Sequence, residues 1–160
     1  MSLDGLKKQF YPLTHDVLGK GRVHEMASFT QHGTTSTLDH TVRVAFRAFA
    51  MARGLRLHID EHSLVRGGIL HDYYLYDWHD PNQALDRWHG FTHPGHALRN
   101  AEADFPDLTS TERDIISRHM FPFTPIPPRT REGWLICLAD KICSLQEFFD
   151  GLDRQQKKGA

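Results

Sequence analysis

The sequence lacks several features that would place the chain outside a cell or in a membrane. It has only two cysteines, Cys137 and Cys143. They lie six residues apart in what reads as one helix, on different faces, so no bridge between them is expected and a reducing compartment fits. No segment approaches the run of about 18 apolar residues that a membrane span needs. The start, MSLDGLKKQFYPLTHDVLGKG, mixes acids and bases and has no apolar stretch of signal length. A cytoplasmic location and no membrane partner are expected. Basic surplus is missing too. The formal net charge is −1, which argues against nucleic acid as a partner. Alternation of apolar and polar residues at period two is almost absent, as are repeats and low-complexity segments.

What remains is an ordinary soluble composition, 39% hydrophobic and 24% charged over 160 residues. That suits a single domain over residues 1–160 with one sizeable core. The pattern predicts an all-α fold. Residues 3–18 read as a first helix, closed by the glycines of LGKGR, and VHEMASF as a short second one before QHGTTST breaks the pattern. Residues 38–53 read as a helix with Val42, Phe46 and Phe49 as its buried stripe. Asp60 is placed to cap a helix running to about Tyr76, with Leu64, Ile69 or Leu75 inward. HDPNQALDRWHGF reads as a loop. Pro94 suits the first turn of the next helix, and Thr109 with Glu112 has capping-box spacing. The proline-rich FPFTPIPPRTR predicts a stiff loop. Residues 131–150 form a last apolar helix, with DRQQKKGA as a frayed tail.

The twelve histidines are scattered, unlike a purification tag, and imidazole is both a common metal ligand and the usual acid–base group near neutrality. One stretch concentrates the problem. GGILHDYYLYDWHD, residues 67–80, sets His71 and Asp72 inside an apolar run. On a helix the two would point about 100° apart, and both could reach one cation above the groove between them. A cation also offsets the cost of burying a carboxylate. Further ligands must come from other apolar faces. His40 lies beside Val42 and Phe46, His93 just before a helix start, and His119 one turn after Ile115. Asp140 interrupts WLICLADKICSL, the most apolar run of the chain.

His40, the HD dipeptide at 71–72 and Asp140 within LADKI follow the ordered H…HD…D pattern, and the chain resembles the HD-domain superfamily of metal-dependent phosphohydrolases. HTVRVA, GGILHD and LADKI match that family's local texture. The resemblance covers about residues 36–146 and implies a helical bundle around a central metal site. HPGHAL and His119 are similar to the segments that, in binuclear members, ligate a second metal. That pattern resembles the symmetrical dinucleoside tetraphosphate hydrolase subgroup more than the cyclic-di-GMP phosphodiesterases, whose paired histidines and Gly-Tyr-Pro segment are absent after His119. HDYYLYDWH in place of the family's usual HDIGK marks a distinct branch.

The metal ligands expected are therefore His40, His71, Asp72, His93, His119 and Asp140. Imidazole and carboxylate without thiolate suit Fe, Mn, Zn, Ni or Co, and the resemblance implies two ions per chain. Asp72 is expected at the reaction centre and Lys141, beside Asp140, on a phosphate. Asp77, after the HD pair, and His96, one turn past His93, are candidates for substrate binding or proton transfer. His32 and several arginines, Arg43, Arg47, Arg87, Arg118, Arg129 and Arg131, are weaker candidates, as are Trp78, Trp88, Phe91 and Trp134 for stacking on a base. The function expected is hydrolysis of a small phosphoester such as a nucleotide. The same ligands also suit a di-iron oxygenase or a metal-stabilised binding module without turnover.

Overall fold

The computed structural model describes residues 2–32, 35–80, 82 and 88–158, with the side chains of His32 and of residues 152–158 outside that description. Six helices appear in order: α1 Leu3–Leu18, α2 Thr37–Gly54, α3 Glu61–Leu70, α4 His89–Asp104, α5 Ser110–Arg118 and α6 Arg131–Lys158. A 3-10 turn spans Val23–Ser28. The expected all-α class holds. Among the described residues the one departure is a small antiparallel hairpin, β1 Thr30–His32 and β2 Thr35–Ser36, in which Thr30 faces Ser36 and His32 faces Thr35. It is too short for a period-two signal, and it occupies the segment read as a simple break. No helix among the described residues is long and apolar enough to cross a membrane.

Side-chain caps start the helices where the sequence places them. Ser2, Ser36, Asp60 and Thr109 each accept a backbone N–H from the first turn, and Thr109 with Glu112 completes the capping box. Four boundaries or faces differ from expectation. The buried face of α2 is Thr41, Val44, Ala45, Ala48, Phe49 and Ala52, whereas Val42 and Phe46 are only partly covered. The small alanines let neighbouring helices come close, so the tight face is the less bulky one. Helix α3 ends at Leu70, with His71 as its C-cap, not at Tyr76. The chain then reverses at Leu75, which holds a left-handed φ of 56°. Helix α4 begins at His89, so Pro94 lies inside it and not in its first turn. Helix α6 continues through the expected tail to Lys158.

Helix α2 packs on α3 and α6, and α5 packs on α3, α4 and α6. The contact of α3 with its neighbours depends on Gly67 and Gly68. A Cβ on Gly67 would sit 2.7 Å from Ile115 Cδ1, and one on Gly68 2.7 Å from Ile136 Cδ1 and 3.0 Å from Ala45 Cβ. Bare backbone therefore brings the end of α3 against α2, α5 and α6 together. The next residues after that junction are His71 and Asp72. Cys137 and Cys143 are both free and buried.

Candidate metal centre

Six side chains from five helical segments converge at this junction. His40 comes from the first turns of α2, His71 and Asp72 from the end of α3, His93 from α4, His119 from the end of α5 and Asp140 from α6. None is more than 8% exposed. The structure thus brings together all six residues expected as ligands. His71 and Asp72 meet there by a different route from the helical groove foreseen, because both lie in the turn that follows α3.

Each imidazole is fixed by a bond pointing away from the centre. His71 Nδ1 lies 2.7 Å from the Gly68 carbonyl, His93 Nδ1 2.8 Å from that of His89, and His119 Nδ1 2.9 Å from that of Ile116. A carbonyl only accepts, so in all three Nδ1 donates and the neutral ring turns the Nε2 lone pair inward. His40 Nδ1 donates to the buried Glu147 carboxylate at 3.0 Å, and Glu147 in turn accepts from Arg43 at 3.0 Å. His71 and His119 use one local device: each caps its helix and bonds a carbonyl three residues back. The negative ends of α3 and α5 are thereby directed at the centre, which favours a cation there.

Asp72 lies between two imidazole groups. Its Oδ2 is 3.5 Å from His71 Nε2 and 4.0 Å from His40 Nε2. Its Oδ1 is 3.1 Å from His93 Nε2 and 3.4 Å from His119 Nε2. Asp140 Oδ1 completes the first group, 3.2 Å from His40 Nε2 and 3.8 Å from His71 Nε2. His40, His71 and Asp140 have metal-holding spacing, as do His71, Asp72 and His119. Two atoms at the heart of the cluster, His71 Nε2 and Asp72 Oδ1, are buried without a hydrogen-bond partner. Buried polar atoms are nearly always satisfied. Inward lone pairs and orphaned acceptors are the donor set of a divalent cation, so the residues fit one.

The electrostatics agree. Burial alone would raise the carboxyls of Asp72 and Asp140, yet the surrounding imidazoles hold both well below the usual carboxylate range. Burial opposes charge on His40, but its bonds to Asp140 and Glu147 outweigh it and push it up to about 10. His93 also rises, because the Asp72 charge outweighs burial, whereas burial lowers His119.

Sequence reading missed the support around these ligands. Glu147 lies seven residues after Asp140, two turns along one helix face, and that spacing was a usable signal. Gln31 on β1 donates from Nε2 to Asp72 Oδ2 at 2.7 Å and accepts from Tyr74 and Thr37 on its other atom. Nothing in QHGTTST announces this, since it depends on how the hairpin folds onto the turn.

The remaining candidates lie further out. Lys141 donates to the carbonyls of His119 at 3.0 Å and Cys137 at 3.2 Å and lines an apolar pocket beside Trp134 and Leu138. Asp77 bonds His79. His96 packs on Tyr76 and accepts from Arg99 at 2.7 Å. Arg43 pairs with Glu147 and Arg47 with Gln146. Arg118 pairs with Asp114, and Arg131 donates to the His58 carbonyl. Trp78 stacks on His89, which stacks on His93, while Trp88 and Phe91 are exposed. Arg87 and the side chain of His32 lie outside the described residues.

A model of the HD domain matches residues 37–145, more than half of the chain. No curated protein and no solved structure compared with it gives a match. With that model covering more than half of its length, the chain belongs to the HD domain family.

Proposed function

We propose that this protein is a phosphohydrolase that uses two divalent metals per chain to cleave a nucleotide or similar small phosphoester. The observation that carries the reading is the position of Asp72, with one oxygen toward His40 and His71 and the other toward His93 and His119. A carboxylate so placed suits two neighbouring cations. His40, His71 and Asp140 would hold one, His93 and His119 the other, and Asp72 would serve both. When bound, the metals supply a Lewis acid for the phosphoryl oxygens and bring the pKa of water toward neutrality.

The chain's own residues do the rest. Glu147 and the three backbone carbonyls keep the imidazoles in the ligating tautomer. Gln31 holds Asp72 between its two neighbours. Lys141, on the His119 carbonyl, is a positioning residue that fixes the end of α5. Asp77 and His96 are assigned to proton transfer toward the leaving group, from the outer layer around Tyr76. Within the class, dinucleoside polyphosphates are the first substrates to test.

The test is metal analysis of protein purified without chelator, followed by a phosphoester panel with Mn, Fe(II), Co, Ni and Zn. The expected result is hydrolysis that chelator and Asp72→Asn both abolish. Metal-loaded protein that turns over nothing in the panel overturns the reading. Oxygen consumption with a mixed-valence iron signal would assign the site to oxidative cleavage instead.

A further inference from the structure

Helix α6 is apolar on two opposite sides. Its inner side carries Ile136, Ala139, Cys143 and the two buried acids Asp140 and Glu147. At about 100° per residue, Trp134, Leu138, Leu145 and Phe148 fall on the other side, with Phe149 flanking them. These five are between 47% and 59% exposed. Single exposed apolar residues need no explanation, but a contiguous stripe marks an interaction surface, and a helix apolar all round is normally covered all round.

The stripe has a hollow and a knob. Toward its N-terminal end, Trp134 and Leu138 form one wall of an open pocket of about 630 Å³ shared with Met51, Leu55, Leu57 and Phe121. Toward its C-terminal end, Phe148 and Phe149 form an exposed edge-to-face pair with centroids 5.9 Å apart. Ten residues of helix, roughly 15 Å, separate Leu138 from Phe148. Lys141 lies between them, but its ammonium is drawn onto the His119 and Cys137 carbonyls. That leaves its apolar stem on the stripe.

We propose that α6 pairs antiparallel with α6 of a second copy of this chain, each copy's Phe148–Phe149 pair filling the other's pocket. One register satisfies both ends. Setting Leu138 opposite Leu145 places Trp134 opposite Phe149, because each pair is four residues further out in opposite directions. Such self-complementarity is what a two-fold interface requires. The half-exposed stripe and the pocket walls together offer on the order of 800 Å² per copy, the amount a standard interface buries on each side. A small apolar molecule would fit the pocket but leave Leu145, Phe148 and Phe149 bare, whereas a second copy covers all of them. The inner face of α6 holds Asp140 and Glu147, so the pairing also clamps the helix that carries part of the metal centre.

Sedimentation equilibrium of the full chain tests this. The wild type is expected to be a dimer at micromolar concentration. Phe148→Glu and Leu138→Glu are each expected to raise its dissociation constant at least tenfold while metal content is unchanged. Phe148 is exposed, so its variant keeps the test valid should Leu138→Glu misfold. Orientation is read by oxidation: a mixture of Leu138→Cys and Leu145→Cys chains should cross-link to each other, and neither should cross-link alone. A monomeric wild type overturns the proposal. So does a dimer that survives both charged variants, or a monomer whose pocket binds the fluorescent probe anilinonaphthalene sulfonate.

Discussion

His93 and His119 face each other with their Nε2 atoms 2.9 Å apart. Both rings donate outward from Nδ1, so two lone pairs meet at hydrogen-bonding distance. Only a proton or a cation between them makes that contact favourable. The Asp72 charge raises His93, whereas burial lowers His119, and a cation held between the rings would satisfy both lone pairs. His93→Ala or His119→Ala should therefore lower the metal content from about two per chain to about one, measured by elemental analysis under metal-replete conditions. Asp72→Asn should lower it further, because its carboxylate serves both groups. Wild-type protein that saturates at one metal would point to a mononuclear centre.

The approach of α3 to its neighbours should be equally sensitive. Gly68→Ala puts a methyl where Ile136 and the backbone of Ala45 already stand, at 2.7 Å and 3.2 Å from the added carbon. The Ile136 tip can turn, but the α2 backbone can yield only by moving α2. Overpacking of this kind costs about 1–3 kcal/mol. Denaturant unfolding of the metal-free protein should show that loss, and metal affinity should fall with it, since His71 and Asp72 follow three and four residues later. Gly54→Ala, with nothing within 4 Å of its added carbon, is the control and should lower neither.

The same glycines show how much could be read from the sequence. GGILHD was legible as a dense motif, and the six ligands could be named because each is an ionisable residue at an apolar position. Their convergence was expected from the resemblance, but the backbone route that achieves it was not legible. His71 and Asp72 were expected on a helix, and the structure places them just past its end, where a turn and not a 100° step sets their directions. The stripe on α2 was misread because large residues dominate a hydrophobic pattern, while close packing of α2 selects Ala45, Ala48 and Ala52. Gln31 was out of reach altogether: its partner is 41 residues away, and the hairpin that presents it has too few residues to leave a periodic signal.

Lys141 separates two roles by where its loss is felt. Its ammonium bonds the carbonyls of His119 and Cys137, and charged hydrogen bonds contribute about 1.5–3 kcal/mol. As a positioning residue, Lys141→Ala should lower stability by an amount in that range and weaken metal binding. At saturating metal, kcat/KM should fall less than tenfold. A fall of tenfold or more at saturating metal, with metal affinity intact, would instead show the ammonium reaching a substrate phosphate.

His40 gives the centre a defined dependence on pH. Burial disfavours its charge, but Asp140 and Glu147 hold it up to about 10 in the metal-free protein, against about 6.5 in the unfolded chain. A raised folded value stabilises the fold fully below pH 6.5, and that contribution is lost as pH rises through about 10. His93, raised by Asp72, acts in the same direction. His119, lowered by burial, acts oppositely, in the range below 6.5. Above pH 6.5 the metal-free protein should therefore lose up to about 1.4 kcal/mol per pH unit from His40. The loaded protein has no proton on that ring to lose. The rise in Tm on adding metal should grow between pH 6.5 and about 8.5, and the ion bound at His40 should release a proton to buffer, up to a tenfold gain in affinity per pH unit. Glu147→Gln keeps an acceptor for His40 Nδ1 but removes the charge, so it should lower the His40 pKa and flatten this slope. Calorimetry in buffers of different ionisation enthalpy measures the protons directly. A metal-induced shift in Tm that is constant over this range would mean that His40 is already neutral in the metal-free protein.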